Sequence, residues 1–176
     1  IMLTHQTREK NVDAAIAKLH YVPNVAARAL AGGRNCRIAL LYSNPSAAYL
    51  SALMMGALEA CARLDAQLVV EPFTNGMSFP DMVAHLAVRR IDAVLLPAPL
   101  CDSGPLMQAL RDARLPVAQI ASGRSRADCF AVSIADHAAS VAMTEYLIDR
   151  GHTRIGFIGG SADQSASGIR QQGYRD

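Results

Sequence analysis

An α/β fold built on a parallel, doubly wound sheet is what this sequence predicts, and three observations predict it. From Arg37 onward, short apolar runs alternate with longer stretches of helical period. The apolar runs are continuous rather than alternating, as strands covered on both faces require. The 176 residues are 51% hydrophobic and 18% charged, an ordinary globular composition on a chain long enough to bury a core.

The elements follow in order. Residues 38–42 form the first strand, and Ser43-Asn44-Pro45-Ser46 turns the chain into a helix over 48–64. Residues 67–73, rich in valine, form a second strand. A helix over 79–90 carries Met82, Val83, Leu86 and Ala87 on one face. Residues 93–96 form a buried strand ended by Pro97, and a helix over 106–114 is stopped by Leu115-Pro116. Strands over 117–121 and 130–134 come next. Asp136 is placed to cap a helix over 138–150, with Gly151 as the residue just past its end. A last strand over 154–158 runs into Gly159-Gly160. Ligands of such sheets bind beyond the carboxyl ends of the strands. That rule points at 43–50, 73–76, 97–100, 122–126 and 159–167.

The segment before Arg37 is different. Val12, Ala15, Ile16 and Leu19 fall on one face of a helix, and Thr7 is its N-cap candidate. Pro23 keeps Val22 out of helix, Asn24 caps a second short helix, and Gly32-Gly33 end it near Ala31. A helix of about two turns is marginal alone, because nucleation is costly, so it is expected to order against a partner. Residues 1–37 hold six basic side chains against Glu9 and Asp13, a net of +4, whereas the remainder holds 11 basic and 13 acidic residues. A basic arm on a near-neutral body suits a phosphate backbone.

Several function classes are disfavoured. No apolar run reaches membrane-spanning length. Cys36, Cys61, Cys101 and Cys129 are scattered, without the spacing of a zinc site or a secreted disulfide framework, so four ordinary thiols of a cytoplasmic protein are expected. The five histidines are dispersed, and no nucleophile elbow, Walker A or dinucleotide fingerprint is present. No catalytic residue, metal or cofactor is expected, and the chain is read as a non-enzyme.

The order of motifs resembles the lac-repressor/galactose-repressor family of bacterial transcription regulators. The residues that carry the resemblance are Thr7-Arg8-Glu9, Tyr21-x-Pro23-Asn24, Ala27-Arg28-x-Leu30 and Ile38-x-Leu40. Further on come Arg90-Ile91-Asp92-Ala93-Val94, Gly151-His152-x-x-Ile155-Gly156-Phe157-Ile158-Gly159 and Arg170-x-x-Gly173-Tyr174-Arg175. The resemblance implies a periplasmic-binding-protein-like core preceded by a short helical DNA-binding and hinge segment. It divides the chain into headpiece remnant and hinge (1–34), an amino-terminal effector-binding subdomain (35–158) and the start of a second subdomain (159–176). It implies that Leu30 wedges between base pairs in the minor groove, with Asn24, Ala27 and Arg28 beside it. It implies an effector contacted by Tyr49, Leu50, Phe73, Asp136, Gln164, Ala166 and Arg170.

Three departures accompany the resemblance. The chain begins at the family's third headpiece helix and stops at the first helix of the second subdomain, so it reads as a piece of a longer protein. Asn11 looks like one extra residue, which rotates the following helical face by ~100° unless a bulge absorbs it. The expected function is that of a ligand-responsive repressor of carbohydrate genes. It binds operator DNA as a homodimer and is governed by a saccharide or sugar phosphate. The helix over 48–64, with Leu53, Ala57 and Cys61 on one face, is the expected dimer surface. A free sugar-binding receptor is the alternative, and residues 7–31 discriminate, because a receptor has no use for a basic helix and a capped hinge.

Overall fold

The computed structural model describes residues 18, 36–43, 46–74, 76–123 and 129–176. The chain divides into two compact units, Ile1–Asn35 and Cys36–Asp176. In the first, Lys18 is helical and exposed. The expected DNA contacts Asn24, Ala27, Arg28 and Leu30 lie outside the described residues.

The second unit is a five-stranded sheet. Its elements are β1 (Arg37–Tyr42), α1 (Ala47–Arg63), β2 (Gln67–Pro72), α2 (Phe79–Val88), β3 (Ala93–Pro97), a short 3-10 turn (Leu100–Asp102), α3 (Gly104–Asp112), β4 (Val117–Ile120), β5 (Phe130–Val132), α4 (Asp136–Asp149) and α5 (Ser165–Arg175). The strand order is β2-β1-β3-β4-β5, and every pairing is parallel. Leu40 sits between Val70 of β2 and Leu95 of β3. Successive residues Ala39, Leu40 and Leu41 all have no exposed surface, as a strand covered on both faces requires. Met82 and Leu86 of α2 and Leu106, Met107 and Leu110 of α3 pack with Ala39, Leu41, Val94 and Leu96 into the main core. At the far edge β5 is open, with Phe130 80% exposed.

Four helices end in the same way. After α1, α2, α3 and α4, the residues Asp65, Arg90, Arg114 and Gly151 take φ of 50, 53, 57 and 85°. The next amides, of Ala66, Ile91, Leu115 and His152, donate to the carbonyls of Cys61, Leu86, Leu110 and Leu147 at 2.9 to 3.1 Å. These are left-handed Schellman ends. Only Gly151 advertised one in sequence, because side-chain-bearing residues hold the other three despite a steric cost of roughly 1–2 kcal/mol each.

Three expectations need correction. Residues 154–158 form no strand, because no described strand lies alongside to complete a ladder; Ile158 is 97% exposed. Asp136 does not cap α4 but occupies its first turn, with Ala135 in the cap position and no side-chain cap bond. The α1 face expected to pair two copies is the inward one: Cys61 is buried and Leu53 and Ala57 are half-buried, while Met55 and Leu58 stand exposed.

No described helix is long and apolar enough to cross a membrane.

Candidate effector cleft

The strand order reverses between β1 and β3, because β1 leads to β2 on one side and β2 returns past it to β3. The crevice beyond the carboxyl ends at such a switch point is where parallel α/β sheets bind ligands. A cavity of about 600 Å³ lies there. Ser43 follows β1, Phe73 follows β2, and Asp102 and Ser103 follow β3; all four line it. Phe79, at the start of α2, adds a second ring to Phe73, with centroids 5.7 Å apart and an interplanar angle of 21°. The opposite wall is the start of α5, with Asp163 and Ser165.

Asp102 ties these segments together. Its Oδ1 accepts from Ser122 Oγ at 2.8 Å and its Oδ2 from the Ser165 amide at 2.8 Å, and Ser165 Oγ donates to it as well. The Gly123 amide donates to Ser165 Oγ at 2.8 Å. The ends of β3 and β4 and the first turn of α5 are thus held by one carboxylate. Gly123 is required by this approach: a Cβ there would stand 2.9 Å from Ser165 Oγ and 3.0 Å from the Ala166 amide, and would run into Ile169.

The expected contacts are divided by this geometry. Phe73 lines the cleft. Tyr49 and Leu50 lie in the first turn of α1, half-buried, with the Tyr49 amide donating to Ser46 Oγ at 3.4 Å. The Tyr49 phenol oxygen is buried without a hydrogen-bond partner among the described residues, and burial, then the neighbouring Cys101, raise its pKa. Burial, then the charge of Asp102, push the Cys101 thiol up to about 12. Gln164 holds the N-cap position of α5 without a side-chain cap bond. Ala166 is buried beneath Gly123.

Asp136 and Arg170 meet elsewhere. Arg170 Nε donates to Asp136 Oδ1 at 2.7 Å, with the aspartate side chain 3% and the arginine 49% exposed. Asp136 borders a second cavity of about 320 Å³, together with Ser122, Gly123, His137 and Ile169. Gly173 lets α5 approach α4, since a Cβ there would meet the His137 carbonyl and, at 3.1 Å, Ser140 Cβ.

Asp102, Ser122, Ser165 and Phe79 were not singled out by sequence reasoning. The available signal was positional: Ser122 and Ser165 fall within loops assigned to the carboxyl ends, and Asp102 follows the strand-ending proline by only a few residues. Among the described residues no group of three His, Cys, Asp or Glu side chains is placed to hold a metal ion.

Comparison with known proteins gives this cleft a family. The profile of periplasmic binding proteins and the sugar binding domain of the LacI family matches residues 35–176. A curated relative, the HTH-type transcriptional repressor PurR of Serratia proteamaculans (strain 568), is 32% identical over 169 residues, which are 93% of this chain and 48% of that protein. The PurR repressor of Yersinia enterocolitica is also 32% identical, over 167 residues. The chain spans about half the length of the curated relatives it matches. Among solved structures, a complex of the transcriptional regulator CelR with cellobiose superposes with a TM-score of 0.69 at 28% identity, covering 94% of this chain and 50% of that one. The lac repressor dimer bound to operator and the anti-inducer ONPF gives 0.75 at 22% identity, covering 97% and 52%, a likeness of fold. With a parallel sheet in switch-point order, a cleft at its carboxyl ends and a family match over 35–176, this chain belongs to the periplasmic-binding-protein and LacI sugar-binding-domain family.

Proposed function

We propose that the chain is the hinge and effector-binding core of a DNA-binding transcription repressor. Its operator affinity is set by a small molecule, a saccharide or sugar phosphate, held in the cleft at the carboxyl ends of the sheet. The observation that carries this reading is the 600 Å³ cleft walled by four separate loop segments and α5, in a chain whose curated relatives are repressors. A ligand there touches both the loops after β1–β3 and the start of α5, so binding biases their relative position. In this reading the subdomain boundary falls at 158–159, Phe73 faces the ligand, Tyr49, Leu50, Gln164 and Ala166 stand behind the lining rather than in it, and Asp136 and Arg170 brace α5 from the side. Asn24, Ala27, Arg28 and Leu30 face the minor groove. Two copies pair so that their hinges meet at one operator, as two-fold half-sites require. The exposed outer face of α1, with Met55 and Leu58, replaces the inward face as the surface to test. The protein acts in the cytoplasm, where operator DNA lies, and catalyses nothing.

Effector and operator binding are coupled, typically by ~1–3 kcal/mol, and the coupling here opposes DNA binding. The test is operator affinity of the full-length protein at fixed salt across a saccharide panel. A sugar that weakens operator binding is expected. Leu30→Ala is expected to lose roughly 1–3 kcal/mol of operator affinity while its effector affinity stays unchanged. A flat response to the whole panel, or a Leu30→Ala protein with wild-type operator affinity, defeats the proposal.

A further inference from the structure

Asp102 combines two features that bear on what the cleft accepts. It lines the 600 Å³ cavity, and it already collects the donors that an anion entering there would seek. Ser122 Oγ, the Ser165 amide and Ser165 Oγ all donate to its two oxygens at 2.8 Å. The start of α5 has no side-chain cap of its own, since Gln164 makes no cap bond. The carboxylate of Asp102, 63 residues away in sequence, therefore supplies the negative charge that the first turn of a helix attracts. A second carboxylate, Asp163, lines the same cavity, beside the hydroxyls of Ser43 and Ser103 and the stacked Phe73 and Phe79 rings. Arg170, the guanidinium expected among the effector contacts, gives its Nε to Asp136, on the side of the smaller cavity.

We propose that Asp102 sets the charge class of the effector, so that the cleft takes an uncharged, hydroxyl- or amide-bearing ring and rejects phosphorylated or carboxylated ligands. The inference rests on the effector-cleft reading above and narrows it. A neutral ligand donates its O–H or N–H to the remaining lone pairs of carboxylates and lays its ring against Phe73 and Phe79. A phosphate meets two carboxylates in a partly dehydrated cleft, and the donors it needs are taken by a group that belongs to the chain and cannot leave.

The experiment uses the full-length protein, calorimetry and thermal unfolding. The probes are neutral mono- and disaccharides and purine bases, each beside its phosphate ester or nucleoside monophosphate, and inorganic phosphate alone. The wild type is expected to bind the preferred neutral ligand at least about 100-fold more tightly than its phosphorylated counterpart. Asp102→Asn is expected to shrink that ratio at least about 10-fold, and Asp102→Glu, which keeps the charge, to preserve it. Asp102→Ser, which releases the amide and hydroxyl of Ser165, is expected to gain a Tm that rises with inorganic phosphate, where wild type shows none. A phosphorylated ligand bound by wild type as tightly as its parent overturns the proposal, as does a ratio unchanged in Asp102→Asn. Binding of no probe while operator affinity is intact removes the effector-cleft reading, and the charge assignment that rests on it. Loss of operator binding in the wild type removes the regulator reading as well.

Discussion

Two aspartates grip α5, and they do it differently. Asp102 holds the first turn through the amide and hydroxyl of Ser165 and ties it to Ser122 after β4, at the edge of a cavity of about 600 Å³. Asp136 holds the middle of the helix through the guanidinium of Arg170, at the edge of a cavity of about 320 Å³. The first partnership leaves a carboxylate among neutral donors. The second joins a carboxylate and a cation. The comparison teaches that the charged residue best marked in the sequence need not stand at the larger opening. Arg170 comes from a recognisable motif and Asp136 was expected beside it at the effector, yet they brace α5, while the unmarked Asp102 faces the cleft.

The largest effect is expected at the Asp136–Arg170 pair, and it is asymmetric. Asp136 is 3% exposed and Arg170 49%. Arg170→Ala strands a buried carboxylate and is expected to cost about 3 kcal/mol. Asp136→Ala leaves a guanidinium that water can reach, at a cost of about 1 kcal/mol. Urea unfolding of both variants decides this, and equal losses would show that the burial difference is irrelevant.

A smaller loss is expected on the cleft side. Gly123→Ala places a methyl against Ser165 and the Ala166 amide and pushes the first turn of α5 outward. The expected cost is about 1–2 kcal/mol, with weaker ligand binding in the cleft. Wild-type stability together with wild-type ligand affinity would mean that α5 does not depend on this approach.

The last effect concerns pH and is absent near neutrality. Burial first, and the charge of Asp102 second, raise the Cys101 thiol to about 12 from an ordinary value of 9.0. Its folded value lies above its unfolded one, so the native state holds its proton while the unfolded chain loses it. Stability is therefore expected to decline as pH climbs from about 9 towards 12, and Cys101→Ala should flatten that part of the profile. Asp102→Asn should bring the thiol down, which a thiolate absorbance titration of the folded protein reads. An unmoved thiol in that variant would separate the two side chains electrostatically.

Sequence periodicity located all five strands and the helices α1 to α4, with ends that shifted by only a few residues, whereas α5 was expected only from the family resemblance. The reason is local: Ala39–Leu41 and Val94–Leu96 are continuous apolar runs, and Pro97 and Pro116 punctuate them. The strand expected over 154–158 failed because a strand is defined by its neighbour, and apolar residues alone do not provide one. The inward face of α1 was misread as a dimer surface for a similar reason. Leu53, Ala57 and Cys61 mark an apolar stripe, and a stripe does not say whether its own sheet or another copy covers it.

What the sequence by itself determined was the fold class, the family through motif order, and the loops at the carboxyl ends of the strands. Those properties reside in spacing along the chain. The tertiary structure alone decided which polar groups share a carboxylate. Asp102, Ser122 and Ser165 are separated by 20 and 63 positions, and only the crossover that brings the ends of β3 and β4 beside the start of α5 sets them 2.8 Å apart. No local propensity encodes a hydrogen bond across that distance in sequence, because it exists only once the sheet order has been chosen.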